Sequence, residues 1–377
     1  MKKLLILATM LTPILGMAQK KPAYPSKFDL VVGTYTSGTS KGISVYRFYT
    51  ETGKMVLMNE AEGVSNPSYV AVSNDNKFVY AVNENDQGEV SAFRFDPKYG
   101  KLEFINKQST LGGSPCYVTV DKGQKNLLVA NYSGGNICVL PLNQDGSIAP
   151  AAMTIGGDAK KLGPNKERQE KPHVHTAVLS PDEKQVLYTD LGTDQIHIAK
   201  YKAAKKDQIS QGTAISVKPG DGPRHIAFSN DKKNMYVITE MGSSVVVFDY
   251  NGGKPKQRQE ISLLPENFKG ETGAADIHIS PNGKFLYASN RGDYNDISVF
   301  SINPENGELT FVQRQPSGGK GPRNFAIDPT GRFLLVANQQ SNDIFVYKLD
   351  AETGKIVQAV SRAQIGNPVC IKFANAE

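Results

Sequence analysis

One phrase recurs about every fifty residues along this chain, and a period of that size is the mark of a repeat architecture. The clearest copy is Gly222-Pro223-Arg224-His225-Ile226-Ala227-Phe228-Ser229-Asn230-Asp231, followed by Met235-Tyr236-Val237-Ile238-Thr239-Glu240 and Ser244-Val245-Val246-Val247-Phe248. Short β-branched and aromatic runs bounded by Asn, Asp, Gly and Pro read as strand, tight turn, strand, turn, strand. Further copies begin near Pro67, Pro115, Pro172, Ala274 and Pro322. Ser73-Asn74-Asp75, Ser180-Pro181-Asp182, Ser280-Pro281-Asn282-Gly283 and Asp328-Pro329-Thr330-Gly331 mark the same first turn. Each copy continues into a more polar fourth segment, such as Gly307-Glu308-Leu309-Thr310-Phe311-Val312.

Six copies are complete. Residues 30–58 supply later strands without a first one, and Asn367-Pro368-Val369-Cys370-Ile371-Lys372-Phe373 is a first strand alone. The two fragments complement each other. The expectation is therefore an all-β, seven-bladed β-propeller of four-stranded antiparallel blades, its last blade closed by strands from both ends of the chain. Such closure removes free sheet edges. The 377 residues include no Trp, which excludes WD-type repeats. The least regular stretch, residues 156–171, is charged and reads as a long loop.

The domain organisation follows. Lys2 and Lys3 precede an apolar run from Leu4 to Leu15, and Gly16-Met17-Ala18 supplies small residues for a cleavage site. This is the layout of a signal peptide over residues 1–18, with one propeller domain over residues 19–377. The run is too short for a membrane span, and no cysteine follows it to carry a lipid anchor. The mature chain is expected to be exported to the periplasm. The net charge of the full 377-residue chain, +6, is spread along the sequence, without the clustered stripe that nucleic acid requires. Cys116, Cys138 and Cys370 are an odd number inside apolar runs and are expected to be buried free thiols. No motif speaks to the oligomeric state.

In an antiparallel hairpin the start of the first strand and the end of the second share one edge. The turn phrase sets the register: Arg224 lies five residues before Ser229 and Glu240 eleven after it. The same offsets in the other copies pair Ser68 with Glu84, Cys116 with Tyr132, His175 with Leu191 (Asp190 beside it), Ala275 with Arg291 and Arg323 with Gln339. The closing blade adds Val369 and Tyr35. These positions form one ring around the mouth of the central channel. Three arginines on one rim favour an anionic ligand, because guanidinium forks match carboxylate and phosphate. Glu240 beside Arg224 is expected to stay ionised, as a base or as a holder of the arginine.

The remaining histidines read as structural. His225 should point away from Arg224 into blade packing, His278 should be a satisfied interior histidine, and His197 should lie on a solvated strand face. His173-Val174-His175 could place two imidazoles on one strand face, but no third and fourth ligand has compatible spacing, so no metal is expected. No Gly-rich phosphate loop opens a helix, and no Ser sits in a nucleophile elbow.

Gly222-Pro223-Arg224-His225, Ala275-Asp276-Ile277-His278-Ile279, Asp190-Leu191-Gly192-Thr193-Asp194 and Gly321-Pro322-Arg323 together resemble the seven-bladed propeller lactonases. That family includes a bacterial 6-phosphogluconolactonase and a fungal carboxymuconate-lactonising enzyme. The resemblance spans essentially the whole mature chain. It implies a functional set of one rim histidine, two arginines and a glutamate: His175, Arg224, Arg291 and Glu240 here, with His173 as a second candidate histidine. Arg323, His173, Tyr35, Glu84, Tyr132 and Gln339 are then expected to bind substrate.

The implied reaction is hydrolysis of a sugar or acid lactone, nominally 6-phospho-D-glucono-1,5-lactone, by a water activated at Glu240 or His175, with no metal or cofactor. A carboxymuconate-type cycloisomerase would use the same arginine rim. The other alternative is a non-catalytic propeller that binds an anionic ligand or a protein. Export sits badly with a phosphorylated substrate made in the cytoplasm, so the family is a firmer expectation than the substrate.

Overall fold

The computed structural model describes residues 24–157, 159–205, 208–251 and 254–377. The expected signal peptide lies outside the described residues. Seven four-stranded antiparallel sheets surround a central channel. Their innermost strands are Val70–Val72, Pro115–Val120, Val174–Leu179, Pro223–Phe228, Thr272–Ile279, Pro322–Ile327 and Pro368–Asn375, taken here as blades 1 to 7. Each innermost strand touches the next and the seventh touches the first, so the ring is closed. In blade 7 the C-terminal strand Pro368–Asn375 pairs with Lys27–Thr34, which leads outward to Gly42–Tyr49 and Lys54–Glu62.

The turn phrase is a hydrogen-bonded device. In blade 4 the Ser229 hydroxyl donates to Asp231 at 2.5 Å and accepts the backbone N–H of Asn234 at 2.9 Å. Ser73 with Asp75, Ser180 with Asp182 and Ser280 with Asn282 repeat the first bond, each at 2.7 Å. Asp328 replaces the serine in blade 6 and accepts the Phe333 N–H at 2.7 Å. A side chain that caps its own turn fixes where the second strand starts, and so fixes the hairpin register.

Without Trp, blades dock through tyrosines. Tyr80, Tyr236 and Tyr287 are fully buried, and their hydroxyls donate to the carbonyls of Gly146, Gly307 and Gly354 at 3.2, 2.9 and 2.6 Å. Those glycines belong to turns of the following blade. Each ring contributes apolar burial while its hydroxyl stays paired. The closing seam uses phenylalanines: Phe48 packs edge-on against Phe333 of blade 6 and Phe373 of the C-terminal strand, with ring centroids 5.7 Å apart in both pairs.

One irregularity positions the mouth. In six blades the innermost strand bulges near its start, so that two residues oppose one on the partner strand. Pro223 pairs with Thr239 and His225 with Ile238, leaving Arg224 as the inserted residue. Cys116, His175, Arg323 and Val369 are inserted in the same way. A bulge re-aims its extra side chain away from the regular alternation. Here the five inserted residues are first-strand members of the ring that the sequence register picked out.

Candidate active site

Gly222 immediately precedes the innermost strand of blade 4 with φ +62°, and its carbonyl accepts the Glu240 N–H at 2.7 Å. A β-carbon there would approach Cγ of Leu191 to 2.8 Å, so side chains are excluded on both grounds. This local frame sets Arg224 beside Glu240: Arg224 Nε donates to Glu240 Oε2 at 2.9 Å. On its other oxygen Glu240 meets Arg291 Nη2 at 3.4 Å and Arg168 Nη2 at 2.8 Å. Burial pushes the Glu240 pKa up, but Arg291 and Arg224, with help from the Arg168 hydrogen bond, outweigh it and hold the carboxyl well below the usual range. Glu240 is therefore an ionised anchor for three guanidiniums.

The mouth holds a cavity of about 290 Å³ lined by Glu84, Cys116, Tyr132, Arg168, His175, Glu240, Arg291 and Arg323. Beneath it the channel narrows to a neck of about 10 Å³, where Arg224 and His225 are found. Arg224 is 2% exposed and works from the floor: Nη1 donates to the Ala275 carbonyl and to His225 Nε2. Arg291 is fixed to its own blade through the carbonyls of Gly273 at 2.8 Å and Ala274 at 3.2 Å. Burial lowers its pKa to about 10, so it stays cationic at neutral pH. Arg323 stands over the Tyr35 ring at 5.5 Å and makes no ion pair among the described residues. It is the guanidinium of the mouth left free for a ligand.

His175 lines the cavity too. Its Nδ1 lies 3.8 Å from the Cys116 thiol, and its Nε2 has no protein partner among the described residues. Burial, then Arg224 and His225, push its pKa well below 6.5, so the ring is neutral. Burial pushes the Cys116 thiol up, which keeps it protonated. Cys116, Cys138 and Cys370 are all buried and free, as expected.

The other expected residues divide. Tyr132 lines the cavity, and its hydroxyl accepts from Arg168 at 3.3 Å. Glu84 lines it as well, held by the Tyr35 hydroxyl at 2.9 Å and by Ser68. Tyr35 thus stands behind Glu84 and Arg323. His173 stacks on Tyr132, centroids 4.4 Å apart, with Nε2 3.1 Å from Glu170, and is not among the residues that line the cavity with His175. Gln339 is half-buried at the rim and contributes nothing to the cavity wall.

Two histidines depart from the sequence reading. His225 does not enter blade packing: it lies in the channel, its ring 5.2 Å from those of Tyr117 and His175. The bulge at Arg224 breaks the alternation on which that expectation rested, so consecutive residues both face the axis. Its Nδ1 donates to Asp276 at 2.7 Å, which leaves Nε2 to accept from Arg224 at 3.2 Å. His197 is half-buried against the Tyr188 ring, 4.5 Å between centroids, rather than solvated. His278 is satisfied as expected, 2.9 Å from the other oxygen of Asp276.

Arg168 is the cavity-lining residue that register could not find. It comes from the irregular segment after Met153–Gly156, which lies outside the repeat and has no offset to count from. Its only sequence signal is the charged character of residues 156–171. A larger groove of about 740 Å³ opens at the other end of blades 3 and 4 beside exposed lysines. Its tyrosine hydroxyls, Tyr201 and Tyr250, are already bonded to Asp121 and Gln185 at 2.7 Å each.

A family model described as a seven-bladed β-propeller lactonase matches residues 29–373. The chain belongs to the seven-bladed β-propeller lactonase family. Among curated relatives of this lactonase chain, a 6-phosphogluconolactonase of Bacillus subtilis is 37% identical over 92% of this chain and 99% of its own length. Among solved structures, a protein of Bacteroides fragilis described as a putative 6-phosphogluconolactonase is 43% identical, with TM-score 0.88 over 93% of this chain and 98% of that one. A periplasmic gluconolactonase of Pseudomonas aeruginosa is 36% identical, with TM-score 0.89 over 93% of this chain and all of the other. No helix among the described residues is long and apolar enough to cross a membrane.

Proposed function

We propose that this lactonase-family chain hydrolyses an aldonolactone or related acid lactone at the channel mouth, with His175 as general base. The observation that carries the reading is a neutral imidazole with an unpartnered Nε2, facing a cavity that also presents the free guanidinium of Arg323. Glu240 is ionised, but its oxygens are taken by three arginines, so it serves better as the anchor of the site than as its base.

In this scheme His175 removes a proton from water as the oxygen attacks the lactone carbonyl. Arg291 and Arg323 stabilise the oxyanion, and Arg224 holds Glu240 from below. The acyl C–O bond then breaks, and the imidazolium returns its proton to the ring oxygen. The product is an open hydroxy acid, which is deprotonated at neutral pH. Anionic substrate also neutralises the arginines that depress the His175 pKa, making the bound base stronger than the free one. The reading extends to export: a signal peptide over residues 1–18 would deliver the enzyme to lactones outside the cytoplasm, whether or not these are phosphorylated.

A panel of sugar and acid lactones, followed by pH-stat with the spontaneous rate subtracted, tests the activity. Hydrolysis of at least one is the expected result; hydrolysis of none leaves a binding propeller. The pH profile tests the base. Because His175 titrates well below 6.5 in the free enzyme, its base form is already populated there. Accordingly kcat/KM is expected to stay level from about pH 8 to about pH 6 and to fall only at more acidic pH. An acid limb centred on the ordinary histidine value would sink the assignment.

A further inference from the structure

Arg168 differs from the other three arginines of the mouth in where it comes from and how it is held. Arg224, Arg291 and Arg323 belong to blade strands or their ends, whereas Arg168 is carried by the connection between blades 2 and 3. That connection is anchored. Gly163 N–H donates to the Gly192 carbonyl at 2.9 Å, and Gln169, 1% exposed, donates through Nε2 to the Leu191 carbonyl at 2.8 Å. Gln169 also accepts the Asn165 N–H at 3.0 Å. The backbone next to Arg168 is therefore docked on the Leu191–Thr193 turn, while its side chain is 45% exposed over the cavity.

The charges around it do not balance. Arg168, Arg224 and Arg291 share the single carboxylate of Glu240, and Arg323 makes no ion pair among the described residues. With Glu84 as the second carboxylate of the wall, four guanidiniums still face two carboxylates, and the site keeps net positive charge. Among the three partners of Glu240, Arg168 is the one whose bond can be given up. Its acceptor Oε1 also has Arg291 at 3.4 Å, and Oε2 keeps Arg224 at 2.9 Å. Among the described residues Arg168 has no backbone carbonyl partner to hold its guanidinium, unlike Arg224 and Arg291.

We infer that Arg168 is the specificity determinant of the site: it receives an anionic substituent, phosphate or carboxylate, on the part of the substrate remote from the ester. This rests on the lactonase reading and names which group selects an anionic substrate over a neutral one. Tyr132, whose hydroxyl already accepts from Arg168, guides the side chain between Glu240 and the ligand.

The test compares the full chain with Arg168→Gln and Arg168→Lys on D-glucono-1,5-lactone and its 6-phosphate. The ratio of kcat/KM for the phosphorylated over the neutral lactone is expected to fall about 10- to 100-fold in Arg168→Gln, the worth of one charged hydrogen bond, mainly through KM. Arg168→Lys should recover most of that ratio, since a cation remains. A ratio unchanged within about twofold, or an equal loss on both substrates, overturns the inference. Calorimetric binding of the products, 6-phosphogluconate against gluconate, makes the same comparison without turnover. Absence of hydrolysis by the unaltered chain would therefore count against the lactonase reading alone. Equal product affinities in the unaltered chain and in Arg168→Gln would count against Arg168.

Discussion

His175→Ala is expected to lower kcat for the best lactone about 10²- to 10⁴-fold, the usual contribution of a positioned general base, with KM changed much less. The physical reason is that no other group of the mouth is neutral, basic and open. Glu240 is pinned by Arg168, Arg224 and Arg291, and the Cys116 thiol is held protonated by burial. His173 cannot substitute, because its ring is stacked on Tyr132 and bonded to Glu170. The ring removed is 4% exposed, makes one weak polar contact to Cys116 and packs edge-on against Tyr132 and His225, so no strong bond is lost, the fold should persist and circular dichroism should match the parent. A kcat within about threefold of the parent, below the range expected of a general base, would remove His175 from the mechanism and return Glu240 to consideration.

Asp276→Ala is expected to be the most damaging single change to stability, at about 3–5 kcal/mol, the cost of deleting one partner from a buried charged network. Asp276 is 2% exposed and lies in the channel below the mouth. Its carboxylate accepts from His225 at 2.7 Å, from His278 at 2.9 Å, from Asn324, and from the Ile277 N–H at 3.0 Å. Burial works against its charge, but His278 and His225 overcome that and keep the carboxyl well below the usual range.

Without the carboxylate, buried donors from blades 4, 5 and 6 lose their acceptor together. His225 would also lose the bond that selects its tautomer, and with it the acceptor for Arg224 Nη1. Denaturant midpoints for the parent, Asp276→Ala and Asp276→Asn measure the effect; the asparagine keeps shape and one acceptor and should lie between the other two. A loss below about 1 kcal/mol for Asp276→Ala would mean that water replaces the carboxylate at little cost, and that the channel column is not a structural keystone.

The blade count was legible because each repeat carries its own turn device. Ser229 or its equivalent bonds the residue two further on and the strand that follows, so register is a local property and offsets can be transferred between copies. By that route Arg224, Glu240, His175, Arg291 and Arg323 could be assigned to one rim without any knowledge of their contacts. The same reasoning failed for His225. Alternation is a property of regular strands, and the inserted residue beside it is visible only once the partner strand is placed. It failed for Arg168 because a connection without repeat has no register to count, and its position depends on docking against Leu191 and Gly192.

What the sequence determined by itself is the number of blades, their closure by both ends of the chain, and the identity of most of the rim. These depend on short-range patterns repeated at a constant interval. What only the tertiary structure decided is the charge state and the contacts of each group at that rim. Glu240 is held ionised and His175 neutral by burial and by charges arriving from other blades and from the connection carrying Arg168. Ionisation in a desolvated site depends on distances between residues far apart in the chain, and no local pattern encodes those distances.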